Sequence, residues 1–371
     1  MYPALVVLQH LQKTVINPLD LQVLWVGGSG GMEVDLVKRV GAPFTAIPAA
    51  GLHGVGLRAL PVNLWQLGRG FRAARAILKQ FQPEVLFFTG GYIGVPVALA
   101  AKMTLGKRSR PRSLVYVPDI EPGLALKTLI RLSDHVAVTT ESSRQFMPRR
   151  KPITVTGYPV RSDLLNWNKE SARQVFGLTP DLPVLLVTGG SRGARSINQA
   201  LIGILPDILN EMQVIHVSGQ LNWTEIENAR PSLPTDLAVH YHAYPYLHTE
   251  MGAALSVADI VLSRAGASSL GEYPLFGLPA ILVPYPHAWR YQRVNAEYLV
   301  EHGAAVLLED ANLPHKLLST LRGLIKDRLL LDQMGKAMRS LAKSEAAASL
   351  GQLVLDLSKN KIAKGSETWS A

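Results

Sequence analysis

Residues 183–205, PVLLVTGGSRGARSINQALIGIL, decide the fold. Val184–Val187 is a short, unbroken apolar run, as a strand buried on both faces of a parallel sheet requires. Gly189, Gly190 and Gly193 follow directly, and from Ser196 to Leu209 the apolar residues recur at helical spacing. Strand, glycine turn and helix in that order form a βα unit. Glycines let the turn bring backbone N–H groups close to an anion. The helix N-terminus adds about half a positive charge aimed at the same point. Ser191 and Arg192, inside the turn, would supplement it with a hydroxyl and a guanidinium. An ordinary βα turn carries the same glycines, but the full strand–turn–helix context favours a phosphate site.

The alternation extends in both directions. Strand candidates are Val23–Val26, Val85–Thr89, Ser113–Val117, Val136–Thr139, Val184–Thr188, Val214–Val217, Ile260–Leu262 and Ala280–Val283. Amphipathic stretches such as Leu64–Gln80, Ser196–Leu209 and Arg293–Glu301 lie between them. Such a series predicts α/β architecture with doubly wound parallel sheets. The stretch TVTGYPVRSDLL closes one series, and a second begins at Val184. The expected division is a domain over 1–158, a second over 159–358, and a polar, disordered tail over 359–371. One feature is out of order. An α/β domain usually starts with a strand, whereas Tyr2–Leu11 reads as a helix.

Two further loops carry candidate chemistry. Strand Ile260–Leu262 runs into SRAGASS, and Glu272 stands on the helix beyond. Arg264, Gly266, Ser268 and Ser269 make a second anion-ready turn, and Glu272 is able to accept two hydrogen bonds from adjacent hydroxyls. On a bare helix Glu272 would be a solvated carboxylate. Two such turns at strand carboxyl ends point to the crevice where α/β sheets bind nucleotides. Gln292 and Asn295 sit three apart on one helical face, and amides suit sugar hydroxyls. In the first half, Gly90–Gly91–Tyr92 forms another strand-to-helix turn.

The chain has 371 residues and no cysteine, which excludes disulfides, thiolate metal sites and thiol catalysis. No signal peptide and no membrane-spanning run are legible, so a soluble intracellular protein is expected. The net charge of +10 is unevenly placed: residues 1–160 hold 19 Lys and Arg against 8 Asp and Glu. The first half therefore faces a polyanion or carries a solubilising surface. Between residues 52 and 75, apolar Leu52, Val55, Leu57, Leu60, Leu64 and Trp65 interleave with Arg58, Arg69, Arg72 and Arg75. That mixture suits an anionic membrane surface. No recognition helix or stacking motif supports nucleic acid.

Taken together, GGSRGARSIN, RAGASSLGE, GYPVR, TGGY and YPHAWRYQRVNA resemble the MurG family of GT-B glycosyltransferases, over residues 1 to about 350. The resemblance implies two Rossmann-like domains facing one another across a cleft. The second would bind UDP-N-acetylglucosamine, and the first a lipid-linked muramoyl-pentapeptide at the cytoplasmic membrane face. It implies inverting transfer of N-acetylglucosamine in peptidoglycan synthesis, by a peripheral enzyme needing no metal or other cofactor. Gly190, Ser191, Arg192 and Gly193 would hold the diphosphate, Asn198 would be a further substrate-binding residue, and Arg161 would reach the nucleotide. Arg264, Gly266, Ser268 and Ser269 would line the donor site, Glu272 would take the ribose hydroxyls, and Gln292 with Asn295 the sugar. Gly90, Gly91, Tyr92 and Glu121 would lie on the acceptor side.

The sequence departs from the family twice. Relatives begin with a strand and a GGTGGH loop, followed by VYPALAV; here Met1–Leu5 matches only the latter part. The expectation is that a GTG valine codon has been read as the initiator. Relatives also carry HEQN where this chain has Tyr116–Val117–Pro118–Asp119. Asp119 then becomes the candidate general base, with Glu121 behind it. The change opens the alternatives of a different lipid acceptor, such as a diacylglycerol, or of a catalytically impaired nucleotide binder.

Overall fold

The computed structural model describes residues 1–17, 20–28, 33–48, 60–104, 106, 110–190, 193–229, 233–287 and 290–366. It contains two units, Met1–Pro159 with Glu345–Ala371, and Val160–Ser344.

In the first unit the strands are β1 (Trp25–Gly27), β2 (Phe44–Ala46), β3 (Val85–Phe88), β4 (Arg112–Val117), β5 (His135–Val138) and β6 (Ile153–Val155). Helices α1 (Tyr2–Thr14), α2 (Glu33–Arg39), α3 (Leu60–Phe81), α4 (Gly94–Thr104) and α5 (Leu124–Leu132) accompany them. All pairings are parallel, but the strands form two sheets: β1 with β2, and β3-β4-β5-β6. The strands of this half thus fall into two separate sheets. Among the described residues β1 has a ladder only with β2, and β3 only with β4.

The second unit holds β7 (Val184–Thr188), β8 (Gln213–Val217), β9 (Tyr241–Tyr244), β10 (Ile260–Ser263), β11 (Ala280–Leu282) and β12 (Ala305–Leu307) in one parallel sheet of order β12-β11-β10-β7-β8-β9. Its helices are α6 (Lys169–Phe176), α7 (Arg195–Ile208), α8 (Trp223–Ala229), α9 (Thr235–Ala238), α10 (Glu250–Val257), α11 (Glu272–Phe276), α12 (Tyr291–Glu301), α13 (Leu313–Lys326) and α14 (Arg328–Ser340). Every residue of β7, β8, β10 and β11 is buried, which explains why they read as largely apolar runs. Ile197, Leu201 and Ile208 of α7 complete that core beside Leu185 and Val187. Register aligns the strand ends. Thr188 pairs with Ser263, Ser263 with Leu282, and Leu282 with Leu307. The loops leaving these four strands therefore emerge side by side at the carboxyl edge, where open α/β sheets carry their ligands.

The helix α15 (Ala346–Ser366) corrects two expectations. Residues beyond Glu345 belong with the first unit, so the second domain ends well short of residue 358. Leu350 is fully buried among Val7, Leu11, Leu114, Tyr116 and Ala137. The apolar face of α1, which made the chain begin with a helix, is covered by this return of the C-terminus: Gly351 lies close enough to His10 that an added Cβ would meet its ring at 2.8 Å. Part of the segment expected as a disordered tail is also helical, through Ser366. Residues 367–371 lie outside the described residues.

Candidate functional site

The glycine turn after β7 is described except for Ser191 and Arg192, which lie outside the described residues. Gly193 donates its N–H to the Gly190 carbonyl at 3.0 Å and closes the turn. Its φ of +80° is a left-handed conformation, and a Cβ there would run into the Ser218 carbonyl oxygen. Glycine is thus required twice over. Beyond it α7 starts at Arg195 with no side-chain cap at Ala194 and no acidic residue in its first turn. Its terminal N–H groups and its dipole are left for an anion.

Asn198, expected among the substrate-binding residues, lies instead behind the turn, buried and bonded to the protein. Only 2% exposed, it donates its amide to the Ser218 carbonyl at 2.9 Å, and its oxygen meets His216 Nε2 at 3.0 Å. The geometry fixes the imidazole: Nε2–H donates to Asn198, and Nδ1 accepts from the Tyr241 hydroxyl at 2.7 Å. Burial pushes the pKa of His216 down to about 3, so the ring stays neutral. Tyr241, His216 and Asn198 thus secure the Ser218 carbonyl against which Gly193 packs. The sequence gives no local signal for His216, which reads as one polar residue in an apolar strand.

The turn after β10 is built differently from its expected role. Arg264 is only 11% exposed in its side chain, and both of its terminal nitrogens have partners within the protein. These are the carboxylate of Asp310, Ser196 Oγ at 2.7 Å and the Val283 carbonyl at 3.2 Å. Ser269 is buried and donates to the Gly266 carbonyl at 2.6 Å. Ser268, by contrast, hydrogen-bonds Glu272, the first residue of α11. Glu272 is no solvated carboxylate. Burial pushes its pKa up to about 7, against the opposing pull of the Arg161 guanidinium and the Ser268 bond. Arg161, Ser268 and Glu272 are therefore neighbours, although more than a hundred residues separate the first from the others. Asp310 has no local signal in the sequence, because its place beside Arg264 is set by the pairing of β10 with β11 and of β11 with β12.

On α12 the two amides part company. Gln292 accepts from the Tyr285 N–H at 2.9 Å, so its NH2 group is the end left for a ligand. Asn295 is fully buried and donates to the Ala265 carbonyl at 3.1 Å. It shapes the second turn from beneath and does not share the Gln292 role, a correction to the shared-face expectation.

In the first unit, Gly90 and Gly91 take φ values of +114° and +86°, with Gly90 against Leu126 of α5, and Tyr92 is exposed. Tyr116 is fully buried, bonding Thr139 Oγ1 at 2.8 Å and donating to the Gly157 carbonyl at 3.1 Å. Burial above all, with Tyr158 and Asp119 adding, holds its phenol well above its ordinary pKa. Asp119 is half-buried just beyond β4. Glu121 is buried and paired with Lys127 at 3.2 Å. Leu52, Val55, Leu57 and Arg58 lie outside the described residues.

Comparison with known proteins fits these features. The glycosyltransferase family 28 C-terminal domain matches residues 184–350, and the family 28 N-terminal domain matches residues 1–109. A UDP-N-acetylglucosamine–N-acetylmuramyl-(pentapeptide) pyrophosphoryl-undecaprenol N-acetylglucosamine transferase of Roseiflexus sp. is 39% identical, across 89% of this chain and 82% of its own. The enzyme of that name from Desulforamulus reducens is 37% identical, across 94% and 93%. The crystal structure of Acinetobacter baumannii MurG superposes with a TM-score of 0.72 at 23% identity, covering 95% of both chains. This chain belongs to the MurG family of glycosyltransferase family 28, with the two Rossmann-like domains of the GT-B fold.

Proposed function

We infer that this chain transfers N-acetylglucosamine from its UDP ester to the N-acetylmuramyl-(pentapeptide) pyrophosphoryl-undecaprenol acceptor named for its relatives. Identity of 39% and 37% along nearly the whole chain carries that reading. The geometry supplies roles. The glycine turn and the uncapped α7 terminus receive the donor diphosphate, Arg161 and Glu272 face the nucleoside with Glu272 on the ribose hydroxyls, and the Gln292 NH2 donates to the sugar.

In the inverting step an acceptor oxygen attacks the anomeric carbon, the bond to UDP breaks, and UDP leaves with the electron pair. Backbone N–H groups and Arg161 offset the charge that develops on it, so this reading calls for no metal. Asp119 takes the acceptor proton, and Glu121, buried and paired with Lys127, stands behind it. Asp119→Asn should lower kcat by about a hundredfold or more while leaving the KM for UDP-N-acetylglucosamine unchanged. An unaltered kcat would remove Asp119 from the reaction.

The same reading places the first unit on the cytoplasmic membrane face. On α3, Trp65 is exposed with the Arg69 guanidinium 4.8 Å over its ring, and Phe71, Arg72 and Arg75 line the same shallow hollow. An aromatic among cations suits an anionic lipid surface. No helix among the described residues is long and apolar enough to cross a membrane.

A further inference from the structure

The Arg264 network has a consequence beyond the roles already assigned. One guanidinium joins the segments that follow four of the six strand ends, β7, β10, β11 and β12, at the carboxyl edge of the second unit. It donates to Ser196 in the first turn of α7, which follows β7, and itself follows β10. Val283 and Pro284, at 3.2 and 3.5 Å, follow β11, and Asp310 follows β12. Ser196 Oγ also donates to Asp310 at 2.7 Å, closing a three-membered ring of contacts. The Arg264 cation then lies 5.2 Å over the Tyr285 ring, and the Tyr285 N–H holds the oxygen of Gln292.

We propose that Arg264, clamped by Asp310 and Ser196, is a positioning residue that locks the diphosphate turn to the sugar-side loop, and is not itself a ligand of the donor. Its charge is already balanced by Asp310, and Nη1 and Nη2 each already bond the protein. The path Ser196, Arg264, Tyr285, Gln292 runs from the start of α7 to the amide that meets the sugar. This inference rests on the donor-site reading above.

The two roles predict opposite responses at Asp310. If Arg264 were a direct ligand, Asp310→Asn would free its charge and tighten nucleotide binding, since a negative charge near the diphosphate is also lost. A positioning role predicts weakening, and more for a nucleotide that needs both loops. Titration calorimetry on the full chain should show D310N and S196A each weakening UDP-N-acetylglucosamine about tenfold and UDP by about threefold or less. General destabilisation would not discriminate between the two nucleotides. Binding unchanged or tightened, or both nucleotides weakened equally, would overturn the proposal. S196A removes only a hydroxyl, so it reads the clamp even if D310N folds poorly. Wild-type protein that binds neither nucleotide would overturn the donor-site reading and this inference with it.

Discussion

At the residue scale, Glu272 links structure to pH. Its pKa in the folded chain is about 7, above the ordinary carboxylate value of 4.5, because burial disfavours the charge. The sign for stability follows: Glu272 favours the folded state below about 4.5, and that advantage disappears as pH rises through about 7. Binding runs the other way, because the ionised carboxylate is the better acceptor of two hydroxyls. Affinity for UDP-N-acetylglucosamine, a diester with no proton to lose in this range, should rise as pH climbs through 7. Glu272→Gln should bind more weakly and show no such rise, as calorimetry at several pH values would reveal. The identity of Glu272 and Gln292 as polar groups after strand ends was legible in the sequence. The division of labour was not. Asn198 and Asn295 share motifs with site residues, yet both are buried and spend their amides on backbone carbonyls, because burial is settled by packing between elements and not by local sequence.

At the element scale, legibility followed burial. The strand Val184–Thr188 was read with its observed ends because every residue in it is buried. Strands β2, β6, β9 and β12 were not read. Three of them have only three residues, and Tyr241–Tyr244 alternates buried and half-buried at the sheet edge. Such segments lack the continuous apolar signal of a central strand. The destination of α15 was equally hidden, since an amphipathic helix does not declare which core it covers. Its partner is now plain: Leu350→Ala, cutting back a side chain with no exposure between α1 and β4, should cost about 2–5 kcal/mol. Thermal or denaturant unfolding would measure it. A loss below 1 kcal/mol would mean that α15 is not part of the first unit's core.

At the scale of the whole molecule, charge placement and fold belong to one account. The 19 basic residues among the first 160 are opposed by only 8 acidic ones, while the turns proposed to hold the nucleotide lie in the second unit. On the proposed reading, the first half would meet an anionic lipid surface without weakening donor recognition. Vesicles containing anionic lipid should bind the chain in a salt-sensitive manner, and Arg72→Glu with Arg75→Glu should reduce that binding without changing UDP affinity. Equal binding to neutral vesicles would argue against an electrostatic surface.

The central claim is tested most directly by incubating the purified chain with labelled UDP-N-acetylglucosamine and the N-acetylmuramyl-(pentapeptide) pyrophosphoryl-undecaprenol acceptor, and following label into the lipid fraction. The account predicts acceptor-dependent incorporation with stoichiometric release of UDP. Binding of UDP-N-acetylglucosamine with no label transferred to this acceptor would contradict it.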